Sequence, residues 1–198
     1  GEIFPSSDVD ISIIETNRPN NYSNLEIFMS SLWDEGYKVG HSVRSIKDIK
    51  KITKSDLSEF TSYLTRKPIL SDRNLDNLVS KTLSGLWTST KFYKAKFLEQ
   101  NNRHREFFLS SSNLEPDLKE SPGSLRDFHS ALWILQHCYS LKTFDEILNF
   151  SFLKDEFLIA RNAYNFIKVL RFITNLFTKN NKLDFETQIE IAKRTASG

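Results

Sequence analysis

The chain has 198 residues, of which 39% are hydrophobic and 26% charged, so it can bury one large core or two small ones. Its 27 Lys and Arg against 25 Asp and Glu leave a formal net charge of +2, which excludes a strong overall field for nucleic acid or anionic membranes. The single cysteine, Cys138, excludes an intrachain disulfide, and no run approaches the ~18 apolar residues of a membrane span. We therefore expect a cytoplasmic globular protein that binds neither nucleic acid nor membrane.

The first third of the chain alternates strand and helix patterns. In chain order, the predicted elements are a strand over 9–14, a helix capped by Ser23 or Asn24 that ends near Gly36, a strand within 37–46, a helix over 54–65 capped by Ser55, and a short strand around 68–70. The order β-α-β-α-β predicts a small sheet with accompanying helices.

After Ser71 the two-residue alternation stops and helical spacing continues to the end, so we place a domain boundary there. The predicted elements are a helix over 73–109 with a kink at Gly85, a loop over 110–124, a helix capped by Ser124, a short helix near 144–148, a helix over 153–178 and a last helix over 185–195. The helix over 153–178 is apolar around nearly its whole circumference, which predicts a place in the middle of a bundle. Together the two parts predict an α+β fold, with a small mixed sheet followed by an all-α bundle.

Two carboxylates open the first predicted strand. Asp8 and Asp10 are two residues apart, so on a strand both project from one face, about 6.6 Å apart along the backbone. A divalent cation relieves the repulsion of such a pair, and Mg²⁺ on carboxylates commonly neutralises triphosphate oxygens. An acidic pair after serines also occurs in turns and helix caps, so the pair alone is a weak signal.

A polar cluster is predicted on one face of the long helix over 73–109. Glu99, Gln100, Arg103 and His104 follow spacings of three and four residues beside aromatic neighbours. The simplest interpretation is a solvated ion pair between Glu99 and Arg103.

The loop that enters the next helix carries a second polar cluster, made of Lys119, Gly123, Ser124, Arg126 and Asp127. Backbone N–H groups at a helix start, flanked by a lysine and an arginine, can cradle a phosphate. Helix capping explains most of the same composition, so both interpretations stay open.

Four segments carry a resemblance to a known family. GEIFPSSDVDISII (1–14) resembles the nucleotidyltransferase signature of the DNA polymerase β superfamily, with Ser-Asp-x-Asp on the first strand of a small mixed sheet. It is followed in order by GYKVGHSVRSI (36–46), FYKAKFLEQNNRHREFF (92–108) and NLEPDLKESPGSLRDFHSALWI (113–134). This series resembles the bacterial PII signal-protein uridylyltransferases, the GlnD family, over nearly the whole chain, and residues 113–127 are its most specific part.

The resemblance implies a nucleotidyltransferase domain over 1–71, incomplete at its N-terminus, and a helical uridylyltransferase-associated domain over 72–198. It implies transfer of UMP from UTP to a tyrosine of the PII nitrogen-regulatory protein, with release of pyrophosphate and with Mg²⁺ or Mn²⁺ as cofactor. The implied site residues are Asp8 and Asp10 as catalytic metal ligands, and Ser7, Arg44, Lys119 and Arg126 as nucleotide-binding residues. We interpret His41 as a hydrogen-bonding structural residue.

The chain also departs from the family pattern. The family's glycine pair and arginine would precede Gly1. Its HD and ACT domains would follow this chain, which would then supply only the transferase half. Whether the chain is active in isolation stays open. The superfamily's third carboxylate has no clear counterpart: Thr65 stands where relatives tend to carry an acid, and Asp56 and Asp72 are weak substitutes. Ser121 and Ser124 replace glycines of the helical loop.

Three other functions are compatible with these residues. One is transfer of another nucleotide, such as AMP, to another protein, as in glutamine synthetase adenylyltransferase. The second is a degenerate nucleotidyltransferase fold that acts as a binding or regulatory module, for which Thr65 and the altered glycines argue. The third is a helical scaffold in which the acidic pair is incidental.

Overall fold

The computed structural model describes residues 3–5, 7–16, 22–70, 73–109, 114–141 and 144–195. Within these ranges the elements are β1 (Val9–Glu15), α1 (Ser23–Asp34), β2 (Val39–Ser45), α2 (Ile46–Ser55), α3 (Leu57–Leu64), α4 (Arg73–Leu83), α5 (Ser89–Leu109), α6 (Leu125–Tyr139), two 3₁₀ turns (Phe144–Asn149 and Ser151–Leu153), α7 (Lys154–Thr178) and α8 (Phe185–Thr195). The predicted α+β class is confirmed. None of the helices in these ranges has the length and apolar character needed to cross a membrane.

The chain folds into two compact units. The first comprises Gly1–Ile3 and Ser7–Thr88, and the second comprises Phe4–Ser6 and Ser89–Gly198. Contacts therefore group α4 with the elements that precede it, whereas the domain boundary at 71/72 stays a prediction from the sequence.

The sheet of the first unit consists of β1 and β2, which run parallel. In the register, Asp10 lies opposite Gly40 and Ile14 lies opposite Arg44. The predicted mixed sheet is wrong for the described residues, where both strands point the same way. The apolar side chains of β1 are half-buried rather than fully buried.

No third strand forms around 68–70; residues 66–70 have no regular secondary structure. Pro68 lacks the N–H that a sheet ladder needs. Arg66 also fixes the segment to α4, because its guanidinium donates to the carboxylate of Asp76 at 2.9 Å and to the hydroxyl of Ser80 at 2.6 Å.

The sequence pattern does not predict helix α2, because it extends the second strand to residue 46. The helix begins directly after β2 because Ser45 and Asp48 form a capping box, with each side chain bonded to the other's backbone N–H. The predicted cap Ser55 is instead the last residue of α2, and Asp56 caps α3 by accepting the backbone N–H of Glu59 at 2.9 Å.

The core of the first unit draws its buried apolar side chains from α1, α2, α3 and α4. Its buried side chains are Met29, Ile49, Phe60, Tyr63, Val79 and Leu83. Helix α1 starts at Ser23, but Tyr22 occupies its N-cap position without a side-chain hydrogen bond, so the predicted serine or asparagine cap is wrong.

The single helix predicted over 73–109 is two helices. Gly85 has a φ of +77°, a left-handed conformation that an α-helix cannot contain, and residues 84–88 form a turn between α4 and α5. Trp87 anchors this turn by donating its indole N–H to the carbonyl of Thr53 at 2.8 Å.

The second unit packs α6 against α5 and α7, and α7 against α8. Its buried apolar cluster comprises Leu132, Leu141, Ile147 and Phe157. A hydrogen bond of 2.9 Å between His129 of α6 and Tyr164 of α7 joins two of the helices.

The predicted bounds of α7 and α8 are confirmed to within one residue, but α7 is not buried on all sides. Phe157, Arg171, Thr174 and Asn175 are buried, whereas the opposite face exposes Ile159, Phe166, Val169 and Leu176. The short helix predicted near 144–148 is a 3₁₀ turn.

Candidate functional site

Asp8 and Asp10 lie at the start of β1 and are both exposed. They line one pocket of about 430 Å³, together with Trp33, Tyr37, Lys38, Val39 and Gly40. Neither carboxylate forms a hydrogen bond or ion pair with another side chain in the described part of the chain. The two oxygen-bearing groups therefore face the same solvent-filled space and are available to a ligand.

Gly40 shapes the position of the Asp10 carboxylate. A Cβ added at Gly40 would lie 3.0 Å from Oδ1 of Asp10, which is closer than ordinary van der Waals contact. Because Gly40 is paired with Asp10 in the sheet register, the missing side chain leaves the space into which this carboxylate leans.

Further along the same face of the sheet, away from the pocket, side chains form a hydrogen-bond network. The hydroxyls of Ser12 and Tyr63 are 2.7 Å apart, and the guanidinium of Arg44 contacts the two carboxylate oxygens of Glu59 at 2.6 and 2.8 Å. The hydrogen bond with Glu59 raises the pKa of Arg44 above its ordinary value, against the effect of burial. Arg44 thus lies opposite Ile14, four residues beyond Asp10, and its charge is compensated by Glu59.

Two other predicted residues of the first unit lie elsewhere. Ser7, next to Asp8 in the chain, is half-buried and is not among the described residues that line the pocket. His41 packs its ring 6.0 Å from that of Trp33, so the contact found for it in the described residues is ring packing rather than the expected hydrogen bond.

The acidic pair fits a hard divalent cation in its donor chemistry. Mg²⁺ in nucleotide sites is usually held by one or two carboxylates together with substrate phosphates, rather than by a complete protein cage. The described residues contain no group of three or more His, Cys, Asp or Glu placed to hold a metal ion. Asp8 and Asp10 would therefore hold such a cation only together with phosphate oxygens of a ligand.

The candidates for a third carboxylate do not supply one. Thr65 is the C-cap of α3, and its hydroxyl donates to the carbonyl of Thr61 at 3.1 Å. Asp56 is used as the cap of α3. Asp72 lies outside the described residues.

In the second unit, the predicted phosphate cradle at the start of α6 is already filled by protein. The backbone N–H groups of Leu125 and Arg126 donate to the carbonyls of Leu118 and Lys119 at 3.2 and 2.9 Å. Ser124 is at the N-cap as predicted, but its side chain makes no capping bond. The helix start therefore has few free donors, and any phosphate contact here falls to side chains.

Asp127 is the centre of a saturated network. Its carboxylate accepts hydrogen bonds from Arg103, from Nε2 of His104 at 2.9 and 3.0 Å, and from the backbone N–H of Gly123 at 2.7 Å. The predicted pair between Glu99 and Arg103 is wrong, because Glu99 instead accepts from Lys96 at 3.1 Å. Arg103 and Asp127 are 24 positions apart, and spacing along one helix could not predict their contact.

Lys119 and Arg126 both meet Glu120. Arg126 donates to this carboxylate at 2.8 Å, and the ammonium of Lys119 lies 3.7 Å from it. Lys96 lies over the ring of Trp133, 4.6 Å from its centroid, and Arg126 is 5.7 Å from the same centroid. Burial, which outweighs the carboxylate of Glu99, lowers the pKa of Lys96.

The aromatic residues of the pocket do not follow from the sequence pattern. Trp33 lies in the last turn of α1 and Tyr37 lies in the segment between α1 and β2, so neither belongs to the strands. The segment LWDEGYKVG, with two aromatic residues just before a strand, carries the only local signal for them.

Comparison with known proteins identifies the family of the chain. Residues 91–197 match the family model described as GlnD PII-uridylyltransferase, and the chain belongs to that family. It is similar to proteins named bifunctional uridylyltransferase/uridylyl-removing enzyme: 32% identical to that of Pasteurella multocida over 97% of this chain, 31% to that of Vibrio vulnificus over 98%, and 33% to that of Acinetobacter baylyi over 98%.

The chain spans 23%, 23% and 22% of the length of these three relatives. No solved structure matches it.

Proposed function

We propose that the chain carries the uridylyl-transferring site of its family, which moves UMP from UTP to a tyrosine of the PII protein. The observation that carries this proposal is the placement of Asp8 and Asp10, exposed at the start of one strand and lining one pocket. The names of the relatives and of the family supply the substrate class.

The proposed reaction is a displacement at phosphorus. The phenolic oxygen of the acceptor tyrosine forms a bond to the α-phosphorus of UTP, the bond from that phosphorus to the bridging oxygen breaks, pyrophosphate leaves, and the phenolic proton passes to water. A bound Mg²⁺ or Mn²⁺ neutralises charge on the triphosphate. Asp8 and Asp10 would hold that cation, and Gly40 gives the second carboxylate its position.

The proposal also includes the other residues predicted to bind the nucleotide, and each has its own support. Lys119 and Arg126 are half-buried cations that share a single carboxylate, that of Glu120, so their two charges are only partly compensated. Arg44, which is bound by Glu59, supports the sheet face that ends in the acidic pair. Ser7 adjoins Asp8 in the chain.

The test is incorporation of label into purified PII from UTP or ATP radiolabelled at the α-phosphate, with Mg²⁺ present. We expect label from UTP on tyrosine, and a loss on the order of 100-fold in Asp8→Asn and Asp10→Asn, since one cation ligand contributes several kcal/mol to charge stabilisation. Incorporation from ATP instead would indicate the adenylyl alternative. Transfer that both asparagine variants leave unchanged would refute the assigned site.

One observation favours a second candidate, a nucleotide-binding module without transfer. Thr65 contributes a hydroxyl already used within α3, and the described residues hold no third carboxylate beside the acidic pair. Binding of UTP by calorimetry, in a protein that incorporates no label, would identify this module.

A further inference from the structure

Two aromatic side chains share the pocket with the acidic pair. Trp33 and Tyr37 line the same pocket as Asp8 and Asp10, and they are 49% and 58% exposed. Two half-exposed aromatic side chains beside two carboxylates offer a ligand an apolar surface next to polar groups, a combination typical of small-molecule sites.

Trp33 is held in place rather than loosely attached. Its indole N–H donates to the carbonyl of Val39 at 3.2 Å, and its ring packs against that of His41 with centroids 6.0 Å apart. The ring is thereby fixed at the start of β2, beside Gly40 and the Asp10 carboxylate that leans over it. A fixed aromatic surface loses little freedom when a ligand binds.

We propose that Trp33, assisted by Tyr37, is the surface on which the base of the nucleotide stacks. The inference rests on the proposed function, because it assumes that the triphosphate lies towards Asp8 and Asp10. Stacking uses the π-face that all bases share, so this surface recognises a nucleoside triphosphate and leaves the choice of base to other contacts. Lys38, which also lines the pocket, adds one positive charge beside the bound phosphates.

A purely structural role for Trp33 makes a different prediction. If the ring only joins the end of α1 to β2, its replacement would weaken the binding of every ligand of the pocket to the same extent. If the ring stacks on a base, only ligands that contain a base are affected. Inorganic tripolyphosphate, which offers the phosphates alone, separates these cases.

The experiment measures binding of UTP, UMP and tripolyphosphate in the presence of Mg²⁺, by calorimetry and by tryptophan fluorescence. We expect Trp33→Leu to weaken UTP binding about tenfold and to leave tripolyphosphate binding unchanged, because stacking on an aromatic ring is lost. Trp33→Phe keeps a ring but no indole N–H, and we expect it to stay within about threefold of the wild type. The fluorescence change on UTP addition should disappear in both variants.

Each other outcome separates the two proposals. Equal losses for UTP and tripolyphosphate in Trp33→Leu, or unchanged UTP binding, overturn the stacking surface and leave the transferase proposal standing. Binding of UMP that depends on Trp33, without binding of tripolyphosphate, supports the stacking surface and argues against the triphosphate site. Wild-type protein that binds none of the three ligands overturns both.

Discussion

Carboxylates in the two units are used in opposite ways. Asp8 and Asp10 of the first unit face an open pocket without a side-chain partner in the described part of the chain. Asp127 of the second unit accepts hydrogen bonds from two side chains and from one backbone N–H. The difference shows that a carboxylate with its acceptors filled supports the fold, whereas a pair left open is available to bind a ligand.

The largest expected effect is on stability, when the charge of Asp127 or of Asp10 is removed. Asp127→Asn should lower the free energy of unfolding by about 3 kcal/mol, since it leaves the partly buried Arg103 without its counter-charge. Asp10→Asn should change it by less than about 0.5 kcal/mol, because the side chain is exposed. Urea unfolding of both variants makes the measurement.

Equal destabilisation by Asp127→Asn and Asp10→Asn would contradict the comparison. A loss confined to Asp10→Asn would mean that the acidic pair, rather than the saturated network, supports the fold.

A smaller effect is expected from the glycine beside Asp10. Gly40→Ala places a methyl group 3.0 Å from the position of Oδ1, so the carboxylate must shift by a few tenths of an ångström. We expect Mn²⁺ binding in the presence of UTP to weaken severalfold, as followed by electron paramagnetic resonance, with little loss of stability. Ser42→Ala, on the same strand and the same face, is the matched control and should bind as the wild type does.

If Gly40→Ala binds Mn²⁺ as tightly as Ser42→Ala does, the exact position of the Asp10 carboxylate has no influence on the cation.

The smallest effect concerns the pH dependence of stability in the second unit. Burial lowers the pKa of Lys96 below its ordinary value of 10.5, so the unfolded chain binds this proton more tightly than the folded one. The stability of the wild type should therefore rise, relative to Lys96→Met, as the pH increases from the lowered pKa towards 10.5. Urea unfolding at a series of pH values measures this difference. A constant difference would show that folding leaves the pKa of Lys96 unchanged, and a falling one that folding raises it.

Local signals in the sequence were sufficient for much of the fold. Alternation and helical spacing gave β1, β2, α1, α7 and α8 nearly at their observed bounds. The failures have local physical causes: a capping box at Ser45 turned the end of a strand into α2, and the left-handed conformation at Gly85 divided a long helix. The third strand failed because Pro68 and the contacts of Arg66 hold that segment outside the sheet.

The candidate site could be predicted only in part. Asp8 and Asp10 were found because a two-residue spacing places both on one face of a strand, which is a local rule. Trp33 comes from a different element, and Arg103 meets Asp127 across 24 positions, so neither placement follows from spacing. Such contacts depend on tertiary packing, which the pattern of a single sequence does not contain.

The loop that leads into α6 has a fixed length. Backbone hydrogen bonds join Leu118 to Asn181 and Leu183 to Pro116 at one end, while Leu125 and Arg126 bond back to Leu118 and Lys119 at the other. A residue inserted or deleted between Lys119 and Leu125 would put the second pair of hydrogen bonds out of register. The loop can therefore evolve new specificity by exchanging side chains on a constant backbone, but not by changing its number of residues.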